Sequence, residues 1–191
     1  MDRRIRNPRR SPPTLPAWIP DAVDFHRTYI GEAARISLAI DLARDNVDYA
    51  TGGPFGAAVF DGDGALVACG VNRVESLRSS LAHAELIALV GAQRKLARAR
   101  LNEDGRHYTL ATAGQPCCQC YGAIVWAGID EVLIAARADD IESIAGFDEG
   151  PLPEDWTGEL ERRGIRVVRD LHREAAREVL AGYVLRGGAR Y

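Results

Sequence analysis

No stretch of the 191-residue chain supplies the roughly 20 consecutive apolar residues that a membrane-spanning helix requires. No secretory leader is expected either: the basic opening "MDRRIRNPRR" is followed by "SPPTLPAWIP" where an uninterrupted apolar segment is needed. The expectation is a cytoplasmic protein without membrane contact. Cysteine is scarce, and the four residues at positions 69, 117, 118 and 120 are clustered rather than spread as a disulfide framework. In a reducing compartment such clustering points to metal binding or redox chemistry. Taken as a whole, the chain beyond its first ten residues carries no net positive charge. Residues 1–10 sum to +4, which leaves −7 on the remaining 181. A body of that sign is a poor partner for nucleic acid. The Arg/Pro-rich residues 1–20, with five of the nine prolines, read as an irregular, solvated or partner-draped arm.

What is present is ordinary globular material, with 47% hydrophobic and 27% charged residues. Residues 21–191 are long enough for one domain with a sizeable core and short for two. A helix is expected from near Asp21, a plausible N-cap, through "HRTYIGEAARISLAIDLARDNV". "GGPFGAAVFDGDGALVACGV" reads as a hairpin about a Gly/Asp turn, and "SSLAHAELIALVGAQRKLARAR" as a helix starting near Ser79 or Ser80. "HYTLATA", "EVLIAAR" and "IRVVRDL" read as strands, separated by helices over "CCQCYGAIVWAG", "ADDIESIA" and "TGELERRG", with a last helix over 172–186. This order, without internal repeats, predicts the α/β class: a mixed five-stranded sheet with helices on both faces, in three layers.

Two fragments carry chemistry. "LAHAEL" places Glu85 two residues after His83, and "QPCCQC" places Cys117 and Cys120 three apart, directly after Pro116. Both are expected in the first turns of helices, where exposed N–H groups stabilise thiolates and where ligands collect in open α/β sheets. Cys118 points about 100° away round the helix, and His26, His107 and His172 have no companion at ligand spacing. An imidazole and two thiolates make three zinc ligands. Structural zinc sites close all four positions, whereas catalytic ones leave one for water. Glu85 is badly placed to share the direction of His83 but can reach that open position, so its useful role is proton transfer. A lone H-x-E in a helix usually means nothing, and a lone C-x-x-C can be a redox pair or a structural knuckle. The joint H-x-E…P-C-x-x-C pattern is that of a zinc-dependent deaminase site.

On these residues the chain resembles the cytidine deaminase superfamily. Within it, "GGPFGAAVF", "VNRV", "AHAEL", "PCCQCYGAIVWAG" and above all "AGFDEGPLPEDW" look most like the bacterial guanine deaminase branch, which includes members that accept the triazine ammeline. The resemblance implies one zinc ion per chain on His83, Cys117 and Cys120, with Glu85 as proton shuttle. Asn72 would hydrogen-bond the polar edge of the base, or else close a strand as a turn residue. Ala84 would lie against the substrate. Phe55 and Trp126 would help wall the base, or pack in the core. Glu149, beside Asp148, would read the purine and assist proton movement, or be a solvated loop carboxylate. Tyr191 would enter an active site, sometimes that of a neighbouring subunit, or fray as chain ends do. Gln115 and Gln119 depart from the Glu and Met usual at those positions.

The reaction implied is hydrolytic deamination of an amino-substituted nucleobase, guanine to xanthine and ammonia, by a homodimer. Rival readings are ammeline, guanosine or another amino-heterocycle as substrate; tRNA editing, suggested by the arginine arm; and a zinc-stabilised binding module without turnover.

Overall fold

The fold is described from a computed structural model over residues 15–190. Most of the arginine arm and Tyr191 lie outside the described residues. The elements are α1 (Ile19–Ala22), α2 (Gly31–Asp48), β1 (Gly56–Asp61), β2 (Leu66–Val71), α3 (Val74–Leu77) and α4 (Ala84–Leu96). They continue with β3 (Tyr108–Gly114), α5 (Cys118–Ala127), β4 (Glu131–Ala136), α6 (Ala138–Asp140), α7 (Trp156–Glu161), β5 (Arg166–Val168) and α8 (Arg173–Leu185). A short π-helical turn, Ile141–Ala145, follows α6 directly.

The five strands form one mixed sheet in the order β2-β1-β3-β4-β5. β1 pairs antiparallel with both β2 and β3, whereas β3–β4 and β4–β5 are parallel. The apolar runs that read as strands are buried on both faces, and period-two alternation sorts them. Ala58, Phe60, Ala111, Ala113, Leu133 and Ala135 pack with α2 and α8. Ala57, Val59, Leu110, Val132 and Ile134 pack with α4, α5 and α7. The three-layer expectation therefore holds, and it places β3 at the centre of the sheet between antiparallel β1 and parallel β4, with its C-terminal end opening toward the start of α5.

The expected first helix is broken. Pro20 sits at the beginning of α1, where its missing N–H costs nothing, and α1 ends after Ala22. His26 N–H is then taken by the Asp24 carboxylate at 2.9 Å, Tyr29 N–H by Gly64 O at 2.8 Å, and Thr28 bridges Ala65. The segment is recruited to the hairpin turn, so α2 starts only at Gly31. His26, expected on a helix, lies in the turn between them.

The helix expected from Ser79 or Ser80 also starts late. Ala82 N–H bonds Ser79 O and Ala82 O receives Arg73 N–H, so residues 79–82 form a turn. His83 is extended (φ −72°, ψ 152°) and is the N-cap of α4. Gly70 on β2 lets that helix start lie flat on the sheet, because a Cβ there would overlap the Ala84 carbonyl oxygen.

Candidate metal centre and substrate cavity

Cys117 is the counterpart of His83: it too is an extended N-cap (φ −65°, ψ 172°), preceding α5. Both residues were expected inside first turns and instead stand one position earlier, where side chains face the unpaired N–H groups of the helix. Cys120, in the first turn of α5, is buried. His83 Nδ1 lies 3.5 Å from Cys117 Sγ and 3.6 Å from Cys120 Sγ. All three donor atoms fall within 4.8 Å of one another. Zinc–sulfur and zinc–nitrogen bonds of about 2.3 and 2.0 Å at a tetrahedral angle span about 3.6 Å, so these separations are those a shared zinc ion needs. The donor set, one imidazole and two sulfurs, is the set zinc prefers, and with three protein ligands it leaves room for water.

Glu85 is buried beside this centre. Its Oε1 lies 3.0 Å from the Thr112 hydroxyl, and Cys120 Sγ donates toward Oε2 at 3.5 Å. The Thr112 hydroxyl is also 3.0 Å from Gly114 O. Burial pushes the Glu85 carboxyl up. The Cys117 thiol is pulled down to about 4, first by the hydrogen bond from Cys120 and then by that of His83, against the opposing effect of burial. Glu149, also buried, is pushed up to about 9 by desolvation, with the Cys117 and Glu85 charges adding to it. Among the described residues it has no cationic partner.

Phe55, Asn72, His83, Glu85, Gln115, Cys117, Phe147, Asp148 and Glu149 line one cavity of about 130 Å³. The acidic loop is tied to the metal helix: Cys118 N–H donates to Glu149 O at 2.9 Å. Gly150, at φ +68°, lies against Cys118 Sγ, where no Cβ fits. Asp148 is exposed and turned into its own loop, accepting Gly150 N–H at 2.8 Å.

Two of the anticipated substrate contacts lie elsewhere. Trp126 is 79% exposed on the outer side of α5 and does not line the cavity. α5 is apolar all round, so its sequence does not say which face turns inward. Ala84 is fully buried in the core layer with α4, and the cavity is walled by His83 and Glu85 on either side of it in sequence. Tyr191 lies outside the described residues. Three contributors were not among the expected substrate contacts, although Gln115 was singled out as a departure from the family pattern. Phe147 packs edge-on against Phe55 at 5.3 Å, Thr112 holds Glu85, and Gln115 turns its Oε1 to Ala138 N–H at 3.4 Å. Of these only Gln115 carried a signal, through its place beside Pro116.

A roomier cleft of about 300 Å³ runs between β2 and α4, walled by Val67, Ile87, Val90 and Gly91. The thiol it contains, Cys69, is pushed up to about 12 by burial and is inert as a nucleophile.

Residues 32–136 match the family described as the cytidine and deoxycytidylate deaminase zinc-binding region. The guanine deaminase of Bacillus subtilis (strain 168) is 36% identical over 130 residues, covering 68% of this chain and 80% of that protein. The solved guanine deaminase of Nitrosomonas europaea superposes with a TM-score of 0.84 at 45% identity, over 89% of this chain and 93% of that one. The structure of NE0047 in complex with 2,6-diaminopurine gives 0.87 at 45% identity, over 93% and 94%. The matched segment begins in α2 and ends with β4, and so includes His83, Glu85 and both cysteines of the centre. A zinc-compatible donor triad at paired helix starts, inside a matched zinc-binding region, has one reading: the chain belongs to the cytidine and deoxycytidylate deaminase family of zinc-dependent enzymes.

Proposed function

We propose that this protein hydrolyses guanine to xanthine and ammonia, using zinc held by His83, Cys117 and Cys120. The observation that carries the proposal is a three-donor centre facing one cavity with two buried carboxyl groups, Glu85 and Glu149. The 36% identity to the Bacillus subtilis guanine deaminase supports the choice of base.

Bound at the triad, zinc supplies the Lewis acidity that makes water a nucleophile near neutral pH. Glu85 takes a proton from that water and delivers it to the ring nitrogen beside the carbon under attack. Thr112 keeps the Glu85 carboxyl pointed at the centre throughout. Glu149, pushed up by burial, would supply the proton that lets the exocyclic amine leave as ammonia, and would be reprotonated by the proton that the added hydroxyl releases as the carbonyl of xanthine forms. Asn72 turns its Oδ1 to Val74 N–H at 3.2 Å, so its amide N–H groups are the ones presented to the cavity, and they select a hydrogen-bond acceptor on the base. Phe55 and Phe147 wall the ring.

The same reading carries a cytoplasmic homodimer in purine breakdown. Support for the dimer is the outer face of α5, where Trp126 stands 79% exposed, a large aromatic surface left to water. The acidic balance of residues 11–191 supports a small-molecule substrate over RNA.

The test is ammonia release by the zinc-loaded protein on guanine, ammeline, guanosine, adenine, cytosine and cytidine. Guanine is expected to lead. Turnover of another member alone moves the substrate assignment, and silence across all six with zinc bound leaves a binding module. Glu85→Gln is expected to lower kcat by about 10²–10⁴-fold with zinc retained; unchanged turnover would remove Glu85 from the mechanism.

A further inference from the structure

Asn46, near the end of α2, is fully buried at 0% exposure, yet it lies outside both the metal centre and the cavity wall. Its carboxamide is completely used. One Nδ2 hydrogen goes to Gly53 O at 2.8 Å and the other to Asn72 O at 2.9 Å. Its Oδ1 accepts the Thr51 hydroxyl at 2.7 Å, and that hydroxyl in turn accepts Trp18 Nε1–H at 3.0 Å. Such a satisfied buried network fixes geometry, because every partner it lost would be left unpaired in low dielectric.

The two carbonyls it grips belong to the two segments that bring Phe55 and Asn72 to the cavity. These segments are clipped to each other by Asn72 N–H to Phe55 O at 3.0 Å. Gly52 passes so close beneath Asn72 that a Cβ would overlap its carbonyl oxygen and crowd Asn46 Nδ2. Asn72 thus has its N–H on Phe55, its C=O on Asn46 and its side-chain Oδ1 on Val74. Its side-chain Nδ2 alone has no partner among the described residues. The peptide that follows is held at its other end too, since Arg73 N–H donates to Ala82 O at 2.8 Å, one residue before His83.

We propose that Asn46 is a positioning residue: it aims the Asn72 amide into the substrate cavity, and the chain Trp18–Thr51–Asn46–Asn72 carries that alignment in from the N-terminal segment. This rests on the reading of Asn72 as the group that holds the base. A carboxylate in place of the amide keeps the volume but has no hydrogen for either carbonyl, so Asn46→Asp turns two attractions into two repulsions.

The experiment uses the zinc-loaded full chain. Asn46→Asp is expected to raise KM for guanine by about tenfold while kcat stays within about threefold, the signature of lost uniform binding. In the Asn72→Ala background the same substitution is expected to change KM by less than about twofold, since the group it aims is gone. Equal KM effects in both backgrounds, or a fall in Tm with KM unmoved, would overturn the proposal. If Asn46→Asp does not fold, Thr51→Val withdraws the hydroxyl that joins Trp18 Nε1 to Asn46 Oδ1, and a KM rise of about threefold that vanishes in Asn72→Ala is the supporting result. An NMR readout separates this from the choice of substrate. The Asn72 side-chain amide pair, identified by its disappearance in Asn72→Ala, is expected to shift in Asn46→Asp whichever base is turned over; an unmoved pair overturns the proposal even if guanine is confirmed.

Discussion

Asp140 and Glu149 flank the same π-helical turn, nine residues apart, and both are buried, at 2% and 8% exposure. Their surroundings differ in one respect. Asp140 receives Arg173 Nε and Nη2 at 2.7 and 2.8 Å, together with Arg177 Nη1 and the backbone N–H of Arg137. The Arg173 bond, more than any other, holds its carboxyl far below the usual carboxylate range. Glu149 has no cation within reach among the described residues and is pushed the other way, to about 9. Burial makes a carboxylate costly; what lies against it decides whether it becomes a fixed anion or a proton carrier. Asp140 ties α6 to α8 and so holds one end of the acidic loop. Glu149, at the other end, lines the cavity without such a partner among the described residues.

The sharpest way to break this contrast is to remove each proton-binding group in turn. Glu149→Gln keeps the shape but cannot carry a proton, and kcat is expected to fall by about 10²-fold or more with no loss of Tm. The stability profile supplies the sign. The folded chain keeps a proton on Glu149 from the ordinary 4.5 up to about 9, whereas the unfolded chain releases it. Stability contributed by that proton is complete below about 4.5 and is lost as pH rises through about 9. A urea series from pH 5 to 9 should therefore show wild type weakening with pH, and Glu149→Gln with a flatter slope. Parallel slopes would mean that Glu149 is already ionised in the folded protein.

The complementary change should spare chemistry and cost stability. Asp140→Asn leaves two guanidinium groups facing a neutral amide, and breaking a buried pair from one side costs about 3–5 kcal/mol when both partners are buried. Arg173 and Arg177 keep about a third of their side-chain surface, so a loss of about 2 kcal/mol is expected, read as a lower urea midpoint. The sign is opposite to that of Glu149: this stabilisation is present above the ordinary value of 3.8 and disappears as pH falls below it. kcat per folded molecule is expected to stay within about threefold. A large kcat loss at unchanged stability would make Asp140 part of the site.

These two acids also show what a sequence can carry. His83, Glu85, Cys117 and Cys120 were legible because each pair of roles sits within one helical turn, so spacing along the chain is spacing in space. The strands were legible because both faces of β1, β3 and β4 are buried and read as continuous apolar runs. Asp140 and Glu149 look alike in sequence, each beside another acid, and only tertiary packing brings Arg173 and Arg177 to one of them. Asn46 and Thr112 are similarly silent: an Asn late in a helix and a Thr in a strand are commonplace until their partners are known. The first helix was overrun because periodicity does not register the bridge from Thr28 to Ala65. Trp126 was misplaced because an apolar helix offers no polar face to mark the outside.

The smallest expected effect tests whether burial is needed for the contrast at all. Asp170 makes a two-pronged pair with Arg137, at 2.6 and 2.7 Å, with geometry as good as that of Asp140 and Arg173. Both side chains, however, keep about 40% of their surface, and water competes for each hydrogen bond. The Arg137 bond holds the Asp170 carboxyl below its usual range, yet most of that preference is available from solvent in the unfolded chain and is screened by salt. Asp170→Asn is therefore expected to move Tm by no more than about 2 °C, with a still smaller shift at high salt and no change in kcat. A loss comparable to that of Asp140→Asn would show that bidentate geometry, rather than exclusion from water, stabilises the arginine contacts around α8.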